Sequence, residues 1–215
     1  MNRQNVVCFG DSITMCLGEA EANRWTACLA FLLEGRFPGE YDVFNKGVGG
    51  NTTALALDRI VTDVIALKPA IVLVEFGIND AYTYPWCRTA RVGLDEYRKN
   101  IGEIVRQVRE ENAQVVLIIN HPITLRKDQH PQGNGVAVGQ NLEPYNEALR
   151  QIACKEKLPS IDLSRLLEKE KIDGFHSEDG VHLSPAGNHL YAKLVFESYF
   201  QQPPSLHSYL PAPSH

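Results

Sequence analysis

Val6-Val7-Cys8-Phe9-Gly10-Asp11-Ser12-Ile13-Thr14 sets four apolar, strand-forming residues directly against a turn of glycine, aspartate and serine. A short continuous apolar run that ends in small and polar residues is the pattern of a strand buried on both faces, as strands of a parallel sheet are. Four further runs have the same character: Tyr41 to Asn45, Ile71 to Phe76, Val115 to Asn120 and Ser160 to Leu163. Between them lie segments with helical spacing. Leu94, Tyr97, Ile101, Ile104, Val105 and Val108 recur at steps of three and four, which makes one apolar helix face. Thr53 to Leu67 repeats the pattern through Leu57, Ile60, Val61 and Val64, and Lys68-Pro69 stops it, because proline cannot donate to a helix. Ser184-Pro185 predicts a helix start, with serine as cap and proline at a position needing no donor, and the helix runs to about Phe200.

Strands alternating with helices predict an α/β fold, a parallel sheet covered on both faces through right-handed crossovers. Such sheets bind ligands beyond the carboxyl ends of their strands. After the first strand comes Gly10-Asp11-Ser12-Ile13-Thr14, after the second Lys46-Gly47-Val48-Gly49-Gly50-Asn51-Thr52, and after the third Gly77-Ile78-Asn79-Asp80. The three loops richest in small and polar residues are expected at one edge.

Several function classes drop out on composition. The 215 residues suffice for one domain, assigned to 1–200, with a proline-rich tail at 201–215 that holds Pro203, Pro204, Pro211 and Pro213. The net charge of -5 and the lack of a Lys/Arg block argue against nucleic acid and anionic membrane surfaces as partners. No apolar run is long enough to span a bilayer, and the run at Val6 to Phe9 is too short for a secretory signal, so a cytoplasmic location is expected. The cysteines, Cys8, Cys16, Cys28, Cys87 and Cys154, are odd in number and form no CxxC pair, which indicates free thiols and no metal site. No cofactor is called for.

A serine hydroxyl attacks an ester only if a base takes its proton and fixed donors meet the developing oxyanion. Ser12 stands where a strand ends and a helix can begin. Asp179-Gly180-Val181-His182 separates a carboxylate and an imidazole by about one turn, so Asp179 can hold one ring nitrogen while the other faces Ser12. Gly50 has no side chain to block its amide, and Asn79 carries an NH2 group. Taken singly, each has a plainer explanation: Gly49-Gly50 as a turn at positive φ, Asp80 as an acceptor for amides of its own turn, and Gly10-Asp11-Ser12 as a chance triplet.

Together these residues resemble the GDSL/SGNH hydrolase superfamily. The resemblance rests on Gly-Asp-Ser-Ile-Thr at 10–14 (isoleucine where many members have leucine), Asn45 through Thr52, Gly77 to Asp80, and Asp179 to Gly187, in the family's order across about residues 5 to 200. It implies a flavodoxin-like three-layer sandwich with five parallel strands ordered 2-1-3-4-5. It also implies Ser12 as nucleophile, His182 as base and Asp179 as its orienter. The amides of Ser12 and Gly50 and the side chain of Asn79 would form the oxyanion hole. The substrate would be a small ester, with short acyl groups expected; lysophospholipase and thioesterase activities also occur among members.

Other residues could touch a substrate. Asp11 braces the turn or contacts the ligand; Tyr82, Tyr84 and Trp86 follow Asn79 and are packing residues or pocket wall; His121 follows the fourth strand and lines the pocket or sits in a plain loop. His176 is a weaker competitor for His182, lacking its spacing from an aspartate. The polar stretch 121–141 is a candidate lid or binding loop. The competing reading is a non-catalytic flavodoxin-like module, but Asp11 would repel the phosphate such a first loop cradles, and a receiver would not need Asp179 and His182. Nor is there a G-x-S-x-G to suggest the α/β-hydrolase arrangement.

Overall fold

The five expected strands form as β1 (Gln4–Gly10), β2 (Tyr41–Gly47), β3 (Ile71–Glu75), β4 (Gln114–Ile119) and β5 (Ser160–Asp162). In a computed structural model that describes residues 3–16, 18–124, 132–168 and 174–201, they make one parallel sheet ordered β2-β1-β3-β4-β5. The central strands β1, β3 and β4 are buried along nearly their whole length, whereas every residue of the edge strand β2 is half-buried. Gly10 pairs with Gly47 on one side and with Glu75 on the other, so three strands end side by side and release their loops at one edge.

The helices are α1 (Ser12–Met15), α2 (Trp25–Arg36), α3 (Thr53–Asp63), α4 (Ile78–Ala81), α5 (Leu94–Glu110), α6 (Val138–Glu156), α7 (Leu163–Leu167) and α8 (Pro185–Val195). Right-handed crossovers put α2 on one face of the sheet and α3, α5 and α6 on the other. The packing agrees: α2 lies against α8, α3 against α5, and α5 against α6. Trp25 locks the first group. Its ring is fully buried 4.8 Å from that of Tyr191, its indole donates to the Ile13 carbonyl at 3.1 Å, and its amide donates to Asn188 Oδ1 at 3.0 Å. The turn that carries Ser12 is thereby tied to the helix that follows His182.

The expected face of α5 holds, with Tyr97, Ile101, Ile104, Val105 and Val108 all buried. That of α3 needs correction. Val61 is 62% exposed while Ala56 is buried, and the helix ends at Asp63, with a single 3-10 turn, Ile65–Leu67, before Pro69. Ser184 caps α8 as expected, accepting from the Gly187 amide at 2.9 Å. A Cβ on Gly187 would stand 1.9 Å from the Phe175 carbonyl oxygen, so only glycine lets the helix start this close to the preceding loop. Beyond Val195 the chain continues to Phe200 in a π-helical turn. The anticipated loop 121–141 is shorter than expected, because residues 138–141 already belong to α6, which accommodates Pro144 in its interior at the loss of one backbone bond. The rest of the lid expectation falls largely on 125–131, and the tail on 202–215; both lie outside the described residues, as does 169–173. Among the described residues no helix is long and apolar enough to cross a membrane, and no group of three or more His, Cys, Asp and Glu is placed to hold a metal.

Candidate active site

The turn after β1 is built by Asp11. Its carboxylate accepts from the Ile13 amide at 2.9 Å, a helix cap that makes Ser12 the first residue of α1 and leaves its hydroxyl half-buried at the sheet edge. Ser12 Oγ lies 2.9 Å from His182 Nε2, and His182 Nδ1 lies 2.5 Å from Asp179 Oδ2. A hydroxyl, an imidazole and a carboxylate 170 residues apart in the chain are thus joined in one line.

The His182 loop owes its shape to local bonds. His176 and Leu183 form an antiparallel bridge, the Ser177 amide donates to the His182 carbonyl at 2.8 Å, and Gly180 turns the chain at φ +69°. Within that hairpin Asp179 Oδ1 accepts from the amides of Val181 and His182 and from the Ser177 hydroxyl, each at 2.8 Å. Burial alone would raise the Asp179 carboxyl, but the bonds from His182, Val181 and Ser177 outweigh it and hold the group well below the ordinary carboxylate range. The carboxylate is therefore ionised and aimed at one ring nitrogen.

Gly50 and Asn79 lie on the two neighbouring loops. Gly50 adopts φ +73°, the conformation that its pairing with Gly49 suggested. Among the described residues, no hydrogen bond occupies the Ser12 or the Gly50 amide. Asn79, on α4, donates one N–H to Asp11 Oδ2 at 2.9 Å, which leaves its second N–H for another acceptor. Asp80 is structural, as expected, but its partner comes from farther away. It accepts from the Thr53 amide at 3.0 Å and the Thr53 hydroxyl at 2.5 Å, fastening the start of α3, and with it the Gly50 loop, to α4.

Two substrate-contact candidates are corrected by burial. Asp11 is wholly inaccessible, with both oxygens engaged by Ile13 and Asn79. His121 is 1% exposed and bonds the Val181 carbonyl through Nε2 at 2.9 Å; burial pushes its imidazole down to about 3, so it is a neutral prop under the His182 loop. His176 is likewise occupied, with Nε2 2.7 Å from the Pro122 carbonyl. The aromatic candidates remain accessible. Trp86 is 79% exposed and stacks on Tyr84 at 5.1 Å, and Tyr82 meets Tyr84 edge-on at 5.6 Å.

Sequence reasoning missed Arg59. Its guanidinium donates to the carbonyls of Gly10 and Lys46, each at 2.9 Å, and to Asn51 Oδ1 at 2.6 Å, and it covers the Phe9 ring at 4.5 Å. One planar fork thus satisfies the strand ends that flank two of the three loops. An arginine in an amphipathic helix gives no sign of this.

Glu75 was passed over inside an apolar strand. It is buried, accepts from the Thr14 hydroxyl at 3.0 Å, and is raised well above the usual Glu value by burial and then by the nearby charge of Asp11. Asp11 itself rises to about 6, again chiefly through burial. Tyr97, Tyr191 and Cys16 also feel the Glu75 charge, and none can compensate it. A carboxyl raised by folding favours the native state below its unfolded pKa, and that contribution is lost as pH climbs through the folded value. Glu75→Gln, which retains an acceptor for Thr14, should therefore raise Tm over wild type by a margin that grows from pH 4 to pH 8. A margin independent of pH would show that Glu75 is not held neutral.

The comparisons with known proteins agree with this architecture. The sequence profile of the GDSL-like Lipase/Acylhydrolase family matches residues 8–190. The isoamyl acetate-hydrolyzing esterase 1 homolog of Rattus norvegicus is 31% identical over 199 residues, covering 85% of this chain and 76% of that protein. The acetylxylan esterase of Geobacillus stearothermophilus is 28% identical, covering 88% of this chain and 91% of that one. Among solved structures, a lipase/acylhydrolase from Enterococcus faecalis superposes with a TM-score of 0.75 at 26% identity, covering 90% of this chain and 94% of that one. The chain belongs to the GDSL-like lipase/acylhydrolase family and is a carboxylic ester hydrolase of that type.

Proposed function

We propose that Ser12, His182 and Asp179 form a catalytic triad that cleaves esters of short acyl groups, acetyl to butyryl. The observation that carries this reading is the unbroken line from Ser12 Oγ through His182 to Asp179 at the sheet edge, beside Gly50 and Asn79. As Ser12 Oγ attacks the ester carbonyl, His182 Nε2 takes its proton, and Asp179 on Nδ1 stabilises the imidazolium. The tetrahedral oxyanion is met by the amides of Ser12 and Gly50 and by the free N–H of Asn79. Collapse expels the alcohol, which takes the proton from His182. Water then repeats the sequence on the acyl-enzyme and restores Ser12.

The short acyl preference rests on the neighbouring surface. Tyr82 packs edge-on against Tyr84, which stacks on Trp86, and the three make a compact aromatic wall after α4, not a long apolar groove. The names of two relatives, an isoamyl acetate-hydrolyzing esterase homolog and an acetylxylan esterase, both refer to acetyl esters, which supports the same choice. The test is kcat/KM across p-nitrophenyl esters of increasing chain length, with and without detergent micelles, together with labelling by a serine-directed organophosphonate. The expected result is a maximum at acetyl to butyryl, no jump above the micelle threshold, and labelling lost in Ser12→Ala. A maximum at long chains, or interfacial activation, would overturn the acyl preference and leave the triad standing.

A further inference from the structure

The two loops that carry Gly50 and Asn79 share a single side chain, Arg91. Its Nη1 donates to Asn79 Oδ1 at 3.2 Å and its Nη2 donates to the Gly50 carbonyl at 3.0 Å, with the guanidinium 5.6 Å from the centre of the Tyr84 ring. The backbone brings Arg91 there without strain. The segment after α4 leaves through Tyr82 and returns, the Arg91 amide donating to the Tyr82 carbonyl at 2.9 Å and the Val92 amide to the Asp80 carbonyl at 3.1 Å.

We propose that Arg91 is a positioning residue for the oxyanion hole, one that sets the orientation of the Asn79 carboxamide and its separation from the Gly50 peptide. The inference rests on the esterase reading above. A carboxamide can lie either way round, and only its NH2 end can stabilise an oxyanion. At Asn79 both ends are assigned. Arg91, which has donors only, fixes Oδ1, and the Asp11 carboxylate takes one N–H at 2.9 Å. The remaining N–H is then the donor left for a substrate oxygen. The second arm acts on the other donor. A hydrogen bond to the Gly50 carbonyl steadies the loop that turns at positive φ and presents the Gly50 amide. A lysine would present its donors from a single nitrogen, without the planar fork that here serves the two acceptors from two separate nitrogens. The contact with Tyr84 extends the link to the aromatic wall, so the same residue joins the oxyanion donors to the surface beside them.

The experiment compares wild type, Arg91→Ala, Arg91→Lys, Asn79→Ala and the Arg91→Ala/Asn79→Ala double variant on p-nitrophenyl acetate. Arg91→Ala is expected to lower kcat by about tenfold, less than the loss of a direct donor, with little change in KM and in Tm. Arg91→Lys should not restore kcat, whereas added guanidinium ion should restore part of it to Arg91→Ala. In the double variant the two losses should fall short of multiplying, because Arg91 acts partly through Asn79. Unchanged kcat in Arg91→Ala, a change confined to KM, or losses that multiply fully would overturn the inference while leaving the triad intact. Absence of Ser12-dependent hydrolysis in the wild type would overturn both.

Discussion

Ser12→Ala and His182→Ala are each expected to lower kcat by roughly 10⁴-fold or more, about 5.5 kcal/mol of transition-state stabilisation, while the domain stays folded. Both side chains are half-buried at a loop edge, outside the apolar core, so their loss opens no cavity there. Asp179 separates two further outcomes. Among the described residues it is the sole partner of His182 Nδ1, and its other oxygen is pinned by three donors, Val181, His182 and Ser177. An asparagine there would keep its oxygen on those donors and turn its NH2 toward Nδ1, which forces the imidazole into the tautomer that cannot accept the Ser12 proton. Asp179→Asn should therefore be at least as damaging as Asp179→Ala. Steady-state kinetics on p-nitrophenyl acetate, with circular dichroism as the folding control, decide the matter. Ester hydrolysis at wild-type rates in Ser12→Ala would end the triad reading. An Asp179→Asn variant well above Asp179→Ala would show that Asp179 does not select the tautomer.

Asn79→Ala is the second large effect, about a hundredfold or more in kcat with KM nearly unchanged, as expected for a donor that matters mainly in the transition state. This substitution has a cost in stability as well. Asp11 Oδ2 accepts the Asn79 N–H at 2.9 Å in a fully buried place, and removing the donor leaves that oxygen without its partner. The two effects are read separately, kcat from kinetics and the stability loss from thermal unfolding. A loss confined to KM would make Asn79 a substrate-binding group instead of an oxyanion donor.

The sequence by itself determined the five strands and their order along the chain, three of the helices between and after them, the edge at which the loops gather, and the five residues proposed here for the triad and the oxyanion hole. The reason is that these features are local. Apolar runs ending in Gly-Asp-Ser or Gly-Ile-Asn-Asp mark strand ends, and Asp179 reaches His182 within one hairpin, so both are visible within a few residues. Parallel alternation then needs only the handed crossover to align Gly10, Gly47 and Glu75 at one edge. The tertiary structure alone decided the rest. Arg59 meets Gly10 across 49 residues and Arg91 meets Gly50 across 41, and no pattern in a helix or loop announces such partners. Asp11 and His121 read as candidate substrate contacts because they lie beside motif residues and strand ends. Burial by α1, α4 and the His182 loop made them supports instead, since an ordered polar group without solvent must take its hydrogen bonds from the protein around it. Glu75 stood in plain view inside an apolar strand, but whether it meets an opposite charge or another carboxylate depends on which strand lies beside it. Here β1 brings Asp11, a like charge, and that placement belongs to the sheet order and not to any segment of the chain.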